Sequence, residues 1–321
     1  MRVLVVGVGA VGGWLAAVLA RGGADVALLA RGQALEALLS SGLTLIDGER
    51  RETYRLAAAN RIEELPRPDA LFLAVKTYGF ADAVNWARGA LAHGPLVVTA
   101  MNGLPWWFLS GLDGPLRDRR LESVDPGGRA GAMLTEVRPV AGVVHASMRA
   151  EAPGVIRVPA VDRLILGEPS SLAAAETLAL AKMIEAGGVP CPVSSNIRVE
   201  IWAKLWGNMN MNPLSALTRL SGGKILGDPH LLGLVRAMMS EFVRVGERIG
   251  IRLPMTVDER LVVTQRLGDF RTSMVNDLEA GRPLEVEGLL GVVVEMAEML
   301  DEPVPASRAV YALARAINPR R

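Results

Sequence analysis

Residues 1–14, Met-Arg-Val-Leu-Val-Val-Gly-Val-Gly-Ala-Val-Gly-Gly-Trp, constrain the fold more than any other stretch of this 321-residue chain. Residues 3–6 form a short apolar run of the kind found in a buried parallel strand. Gly7, Gly9 and Gly12 then place G-x-G-x-x-G at the point where a strand hands over to a helix. In that context each glycine has a separate job. The first allows a tight turn, the second lets a pyrophosphate approach bare backbone, and the third lets the helix pack close to the sheet with phosphates at its positive end. The loop Gly7, Val8, Gly9, Ala10, Val11, Gly12 is therefore the candidate dinucleotide cradle.

Residues 3–20 carry no charge, so a membrane span or a secretory leader has to be weighed. The run is only about as long as a bilayer requires and contains four glycines. A leader would need more than the single basic Arg2 and a small-residue cleavage site. The expectation is a soluble, cytoplasmic protein. The next strand, residues 25–30, ends about 20 residues past the glycines, where an NAD or FAD site usually carries an acidic residue for the ribose. This chain has Arg31 there. A guanidinium suits a 2′-phosphate by charge and by its two-pronged geometry, whereas an ordinary surface arginine is the plain alternative. Its position favours NADP(H).

Composition closes off several other classes. A net charge of +1 leaves no footprint for nucleic acid or an anionic membrane. One cysteine, Cys191, cannot make an internal disulfide, and with only three histidines no metal site is expected. Alternating strands and helices through the first half imply an α/β fold, a Rossmann-type doubly wound sheet. A small hairpin is expected around Asp47-Gly48, and closely spaced strands at 141–148, 154–158 and 163–166 read as antiparallel additions. A last short strand is placed at 191–193. Helices are expected over 197–220, 228–249, 256–270, 282–300 and 305–317. The organisation expected is a dinucleotide-binding domain over 1–194 and an all-helical C-terminal domain over 195–321.

The helix spanning 201–213, I-W-A-K-L-W-G-N-M-N-M-N-P, is where chemistry concentrates. Lys204, Asn208 and Asn212 recur every four residues and stack on one face. Trp202, Leu205, Trp206 and Met209 are apolar enough to bury the rest. An ammonium and two amides in an apolar helix are costly to bury unless something pairs with them. A polar substrate is one such partner; a solvated stripe or amide caps are the other reading. Pro213 is expected to end this row at a kink. A second group, T-S-M-V-N-D-L-E-A-G-R-P-L-E, contains Ser273 and Glu285, either of which could be a simple helix cap.

Taken together, several motifs resemble those of the ketopantoate reductases (2-dehydropantoate 2-reductases). They are the glycine motif, A-V-K at 74–76, N-G at 102–103, W-A-K-L at 202–205, N-P-L at 212–214 and S-M-x-x-D at 273–277. The resemblance spans nearly the whole chain. It implies NADPH-dependent reduction of a small 2-keto acid, with Lys204 as general acid and Glu285 as its partner. Asn208, Asn212 and Ser273 would hold the substrate's carboxylate and hydroxyls, and Lys76 and Asn102 would bridge cofactor and substrate. Arg31 matches the family's NADPH-selecting arginine.

Three departures stand out. The stretch 105–128 looks longer than usual, Ser221-Gly222-Gly223-Lys224 replaces a further asparagine, and Leu290-Gly291 replaces Asn-Gly. Two rival readings follow: a paralogue acting on another 2-keto acid, and a catalytically idle NADP-binding sensor. Trp106 and Trp107 are placed as a lid, a pocket wall or packing residues. Met238-Met239 look exposed, so a homodimer is expected.

Overall fold

The computed structural model describes residues 1–319, which divide into two compact units. The first comprises Met1–Met101 and Gly128–Glu200; the second comprises Asn102–Gly127 and Ile201–Arg321.

The first unit is built on one nine-stranded sheet. Its strands are β1 (Arg2–Val6), β2 (Asp25–Leu29), β3 (Leu43–Asp47), β4 (Arg50–Tyr54), β5 (Ala57–Ala59), β6 (Ala70–Leu73), β7 (Leu96–Thr99), β8 (Arg138–Ala152) and β9 (Val155–Gly167). The helices are α1 (Ala10–Arg21), α2 (Gly32–Ser41), α3 (Phe80–Trp86), α4 (Arg88–Leu91), α5 (Arg129–Met133) and α6 (Ala175–Ala186). Strand order is β4-β3-β9-β8-β7-β6-β1-β2-β5, parallel from β8 through to β5. The apolar runs of β1, β6 and β7 are wholly buried, as strands covered on both faces must be. Because β1 lies between β2 and β6, the chain changes direction across the sheet there, and ligands of such sheets bind beside the carboxyl ends at that point.

The hairpin at Asp47-Gly48 forms as expected, between β3 and β4. The later strands differ from expectation. β8 continues the parallel sheet alongside β7, and only its long pairing with β9 is antiparallel. Residues expected as two strands at 154–158 and 163–166 are the single bulged strand β9. The strand expected at 191–193 is reduced to one bridge between Leu166 and Val193.

The second unit is helical: α7 (Ile197–Thr218, its first four residues belonging to the first unit), α8 (Gly222–Gly227), α9 (Pro229–Arg248), α10 (Val257–Gln265), α11 (Ser273–Glu279), α12 (Val292–Met299) and α13 (Pro305–Ala316). A π-helical turn over Glu287–Gly291 leads into α12. α7 runs through Pro213 to Thr218, so the kink expected there does not end it. Packing around most of its circumference holds this helix together: most residues from Leu205 to Ala216 are buried, and burial outweighs the loss of one backbone bond. α10 stops at Gln265, short of the expected 270, and α8 and α11 are separate short helices.

The irregular segment Asn102–Gly127 belongs to this unit. Phe108 stacks on Trp202, with ring centroids 5.8 Å apart, and Trp202 stacks in turn on Phe242 at 4.0 Å. The Glu295 carboxylate accepts hydrogen bonds from the backbone N–H groups of Glu122 (2.6 Å) and Ser123 (2.9 Å). Trp107 is core, whereas Trp106 keeps some exposure. Met238 and Met239 are also core, both at or below 2% exposed, so that pair offers no surface for self-association. Among the described residues no helix is long and apolar enough to cross a membrane.

Candidate active site

In the first unit the candidate residues gather at the carboxyl ends of neighbouring strands. The glycine loop leaves β1, Arg31 follows β2, and Lys76 follows β6. Gly7 has φ +90°, and a Cβ there would fall 2.5 Å from the Val75 side chain and 2.9 Å from the Ala74 carbonyl. A Cβ on Gly12 would sit 1.9 Å from the Gly7 carbonyl oxygen, so turn and helix can close on each other only as glycines. Gly9 differs: a Cβ there would meet nothing within 4 Å. Its bareness is not required by the fold. Gly9 is also the N-cap of α1 and supplies no side-chain cap, which leaves the first N–H groups of that helix for an anion. A close-packed turn, an uncapped helix start and an open approach suit the diphosphate of a dinucleotide.

Arg31 is exposed, and its guanidinium lies 5.5 Å from the centre of the Trp86 ring. The ring fixes one face of the fork and leaves its edge to a phosphate. Lys76 is partly buried and begins the turn Thr77–Gly79, where its carbonyl accepts the Gly79 N–H at 2.8 Å.

In the second unit the residues of α7 separate cleanly. Glu200, Ala203, Lys204, Gly207 and Asn208 keep partial exposure at spacings of three and four, while Trp202, Leu205, Trp206 and Met209 are buried. One open stripe therefore carries both Lys204 and Asn208. Asn212, a turn further on, is 6% exposed. Although Lys204 is not wholly buried, enough protein surrounds its ammonium that desolvation pulls its pKa down to about 8. The nearby Glu285 carboxylate works in the opposite direction. The ordinary lysine value near 10.4 expected from sequence thus does not hold at this site.

Two relays fix the remaining groups. The Ser215 hydroxyl donates to the Asn212 carbonyl at 2.8 Å and meets the Thr272 hydroxyl at 2.5 Å. Since Ser215 has one proton and spends it on Asn212, Thr272 donates to Ser215. Thr272 in turn accepts the Val275 N–H as the N-cap of α11. Ser273, exposed at the first position of α11, is thereby tied to the Asn212 end of α7. The second relay holds Glu285, which is 5% exposed. Arg282 donates to the Asp277 carboxylate at 2.8 Å and closes the turn after α11. The Asn318 side chain then takes both backbone groups of Leu284: its Oδ1 accepts the N–H at 2.8 Å, and its Nδ2 donates to the carbonyl at 3.4 Å. Glu285 follows directly on this clamp and precedes the π-helical turn. Ser215, Thr272 and Asn318 escape sequence reading, because nothing in their local pattern distinguishes them from ordinary polar residues, and Asp277, though part of the S-M-x-x-D motif, shows its role only through Arg282.

Asn102, three residues beyond β7, is partly buried and belongs to the second unit with Lys204, Asn208, Asn212, Ser273 and Glu285. Gly7, Val8, Gly9, Ala10, Val11, Gly12, Arg31 and Lys76 belong to the first.

Two family models match this chain: ketopantoate reductase PanE/ApbA over residues 3–171 and its C-terminal counterpart over 196–318. A 2-dehydropantoate 2-reductase from Mesorhizobium japonicum is 39% identical over 322 aligned residues, covering 100% of this chain and 99% of its own. A crystal structure provisionally assigned as a ketopantoate reductase, from Ralstonia solanacearum MolK2, superposes with a TM-score of 0.93 at 36% identity, covering 98% of this chain and 97% of its own. The 2-dehydropantoate 2-reductase from Methylococcus capsulatus gives 0.85 at 28% identity, covering 99% of this chain and 96% of its own. With both halves matched in order and the full length shared, the chain belongs to the ketopantoate reductase family of oxidoreductases, which work with a pyridine nucleotide.

Proposed function

We propose that this protein reduces 2-dehydropantoate to pantoate with NADPH, with Lys204 as the general acid. The observation that carries the reading is Lys204 itself, an ammonium on the one open stripe of a buried helix, with its pKa drawn to about 8 beside Glu285. At pH 7 such a group is about nine-tenths protonated, and it gives up its proton more readily than an ordinary lysine.

The glycine loop would hold the cofactor's diphosphate, and Arg31 its 2′-phosphate. When bound, the reduced nicotinamide supplies the hydride. As charge develops on the C2 oxygen of the keto acid, Lys204 hydrogen-bonds that oxygen and donates its proton, leaving a neutral amine and the hydroxy acid. Glu285 favours the charged form of Lys204 before each turnover. Asn208, Asn212 and Ser273 orient the substrate through neutral hydrogen bonds, and Lys76 and Asn102 complete the set.

The experiment is a keto-acid panel read by the loss of NADPH absorbance: 2-dehydropantoate, pyruvate, 2-ketoisovalerate and phenylglyoxylate. A kcat/KM for 2-dehydropantoate above roughly 10⁴ M⁻¹s⁻¹, well ahead of the others, is expected. A better rival substrate would keep the chemistry and change the substrate. No turnover on any keto acid would leave only the idle-sensor reading.

A further inference from the structure

Arg260 of the helical unit is half-buried and has no acidic partner among the described residues. Arg260 lies on α10, and its Nε is shielded from solvent without a hydrogen-bond partner among the described residues. Its neighbours behave differently. Arg236 of α9 pairs with Asp258 of α10, and Arg244 and Arg248 share Glu302. Burial alone acts on Arg260 and lowers its pKa, with no carboxylate opposing. An uncompensated cation is costly in the resting protein, and an incoming anion would relieve that cost.

Its seat is specific. A Cβ on Gly207 would fall 2.7 Å from Nη2 of Arg260, 3.7 Å from Cζ and 3.8 Å from Nε. The guanidinium therefore rests against the bare backbone of α7, one turn beyond Lys204 and next to Asn208 on the same open stripe. Any other residue at 207 would push it away.

The chemistry of a 2-keto acid asks for two different groups. The keto oxygen needs a proton donor of moderate acidity, which is Lys204. The adjacent carboxylate needs a fixed positive charge that keeps its protons, and a planar fork matches its two oxygens. Asn208, Asn212 and Ser273, the other proposed substrate residues on α7 and α11, are neutral and cannot supply that charge. We propose that Arg260, seated on Gly207, binds the substrate's carboxylate and makes the site selective for 2-keto acids over uncharged ketones. This assignment rests on the reductase reading above.

The test compares 2-dehydropantoate with its uncharged lactone in the wild type, Arg260→Met, Arg260→Lys and Gly207→Ala. In Arg260→Met the KM for the acid is expected to rise roughly 30-fold or more, as for removal of one partner of a buried charge pair. The KM for the lactone is expected to change by less than about 3-fold, and that for NADPH to stay level. Arg260→Lys retains charge without the fork and should fall in between. Gly207→Ala favours the helix, so it tests the seat even if Arg260→Met fails to fold; its KM for the acid should also rise selectively. An unchanged KM for the acid, an equal loss on acid and lactone, or a loss confined to NADPH overturns the proposal. A wild type inactive on every keto acid defeats the reductase reading itself. An active wild type whose variants keep their preference for the acid defeats only the role of Arg260.

Discussion

The two units make their candidate sites by opposite means. The first uses backbone: six consecutive residues, Gly7 to Gly12, form a turn and an uncapped helix start, and Gly7 and Gly12 are needed for steric closure. The second uses side chains drawn from α7, α11 and the segment before the π-helical turn, aligned by hydroxyl and amide relays. A backbone site is written in adjacent letters, because its geometry is local. A side-chain site depends on distant residues such as Thr272 and Asn318, whose roles exist only after folding.

Five further substitutions would break or sharpen that contrast. The largest effect is expected at Lys204. Lys204→Met should lower kcat by at least ~100-fold, the lower range for loss of a general acid. NADPH affinity, measured by quenching of protein fluorescence, should be unchanged, and a variant with near-normal kcat would remove Lys204 from the chemistry.

Next come the glycines, which should separate binding from stability. Gly9→Val meets open space, so its melting temperature should hold while NADPH affinity falls by roughly 100-fold, about 3 kcal/mol for a blocked diphosphate. Gly12→Ala collides with the Gly7 carbonyl and should destabilise the fold by ~1–3 kcal/mol, seen as a lower denaturant midpoint. If both variants behave alike, the loop is a structural turn only.

Arg31→Gln should raise the KM for NADPH by about 10- to 100-fold and leave that for NADH within a few-fold, reflecting one lost charge-assisted contact. Equal effects on both cofactors would strip Arg31 of a selective role.

The smallest effect concerns Asn318 and is read best by pH. With Lys204 as the proposed general acid, active only when protonated, kcat/KM for reduction should be level below about pH 8 and fall tenfold per unit above it. Asn318→Ala loosens the segment holding Glu285, whose charge raises the Lys204 pKa. The alkaline limb should therefore move to lower pH, with kcat reduced only several-fold. A lower melting temperature with an unmoved limb would leave Asn318 a purely structural clamp.

Much of the first unit was legible because its signals are short-range. Apolar runs of four or five residues become buried strands, and the Asp47-Gly48 turn forms its hairpin. Where pairing is long-range the reading went astray. β8 and β9 do pair antiparallel to each other, but β8 also extends the parallel sheet beside β7 and the two pieces expected at 154–158 and 163–166 are one strand, because which edge a strand joins depends on its neighbour in space. The same holds for Met238 and Met239, which look exposed in sequence and are buried, because the face they occupy is covered by distant segments.

By itself, the sequence determined the glycine turn, the alternating first half, the helical second half and the four-residue spacing that aligns Lys204 with Asn208. All of these follow from backbone sterics and helical periodicity, which act between near neighbours. Only the tertiary structure decided that α7 passes through Pro213, that 102–127 packs with the helical unit, that the Lys204 pKa falls to about 8, and that Arg260 rests on Gly207 without a counter-ion among the described residues. Desolvation and charge pairing depend on what the rest of the chain brings within a few ångströms, and that is settled only when the chain has closed around them.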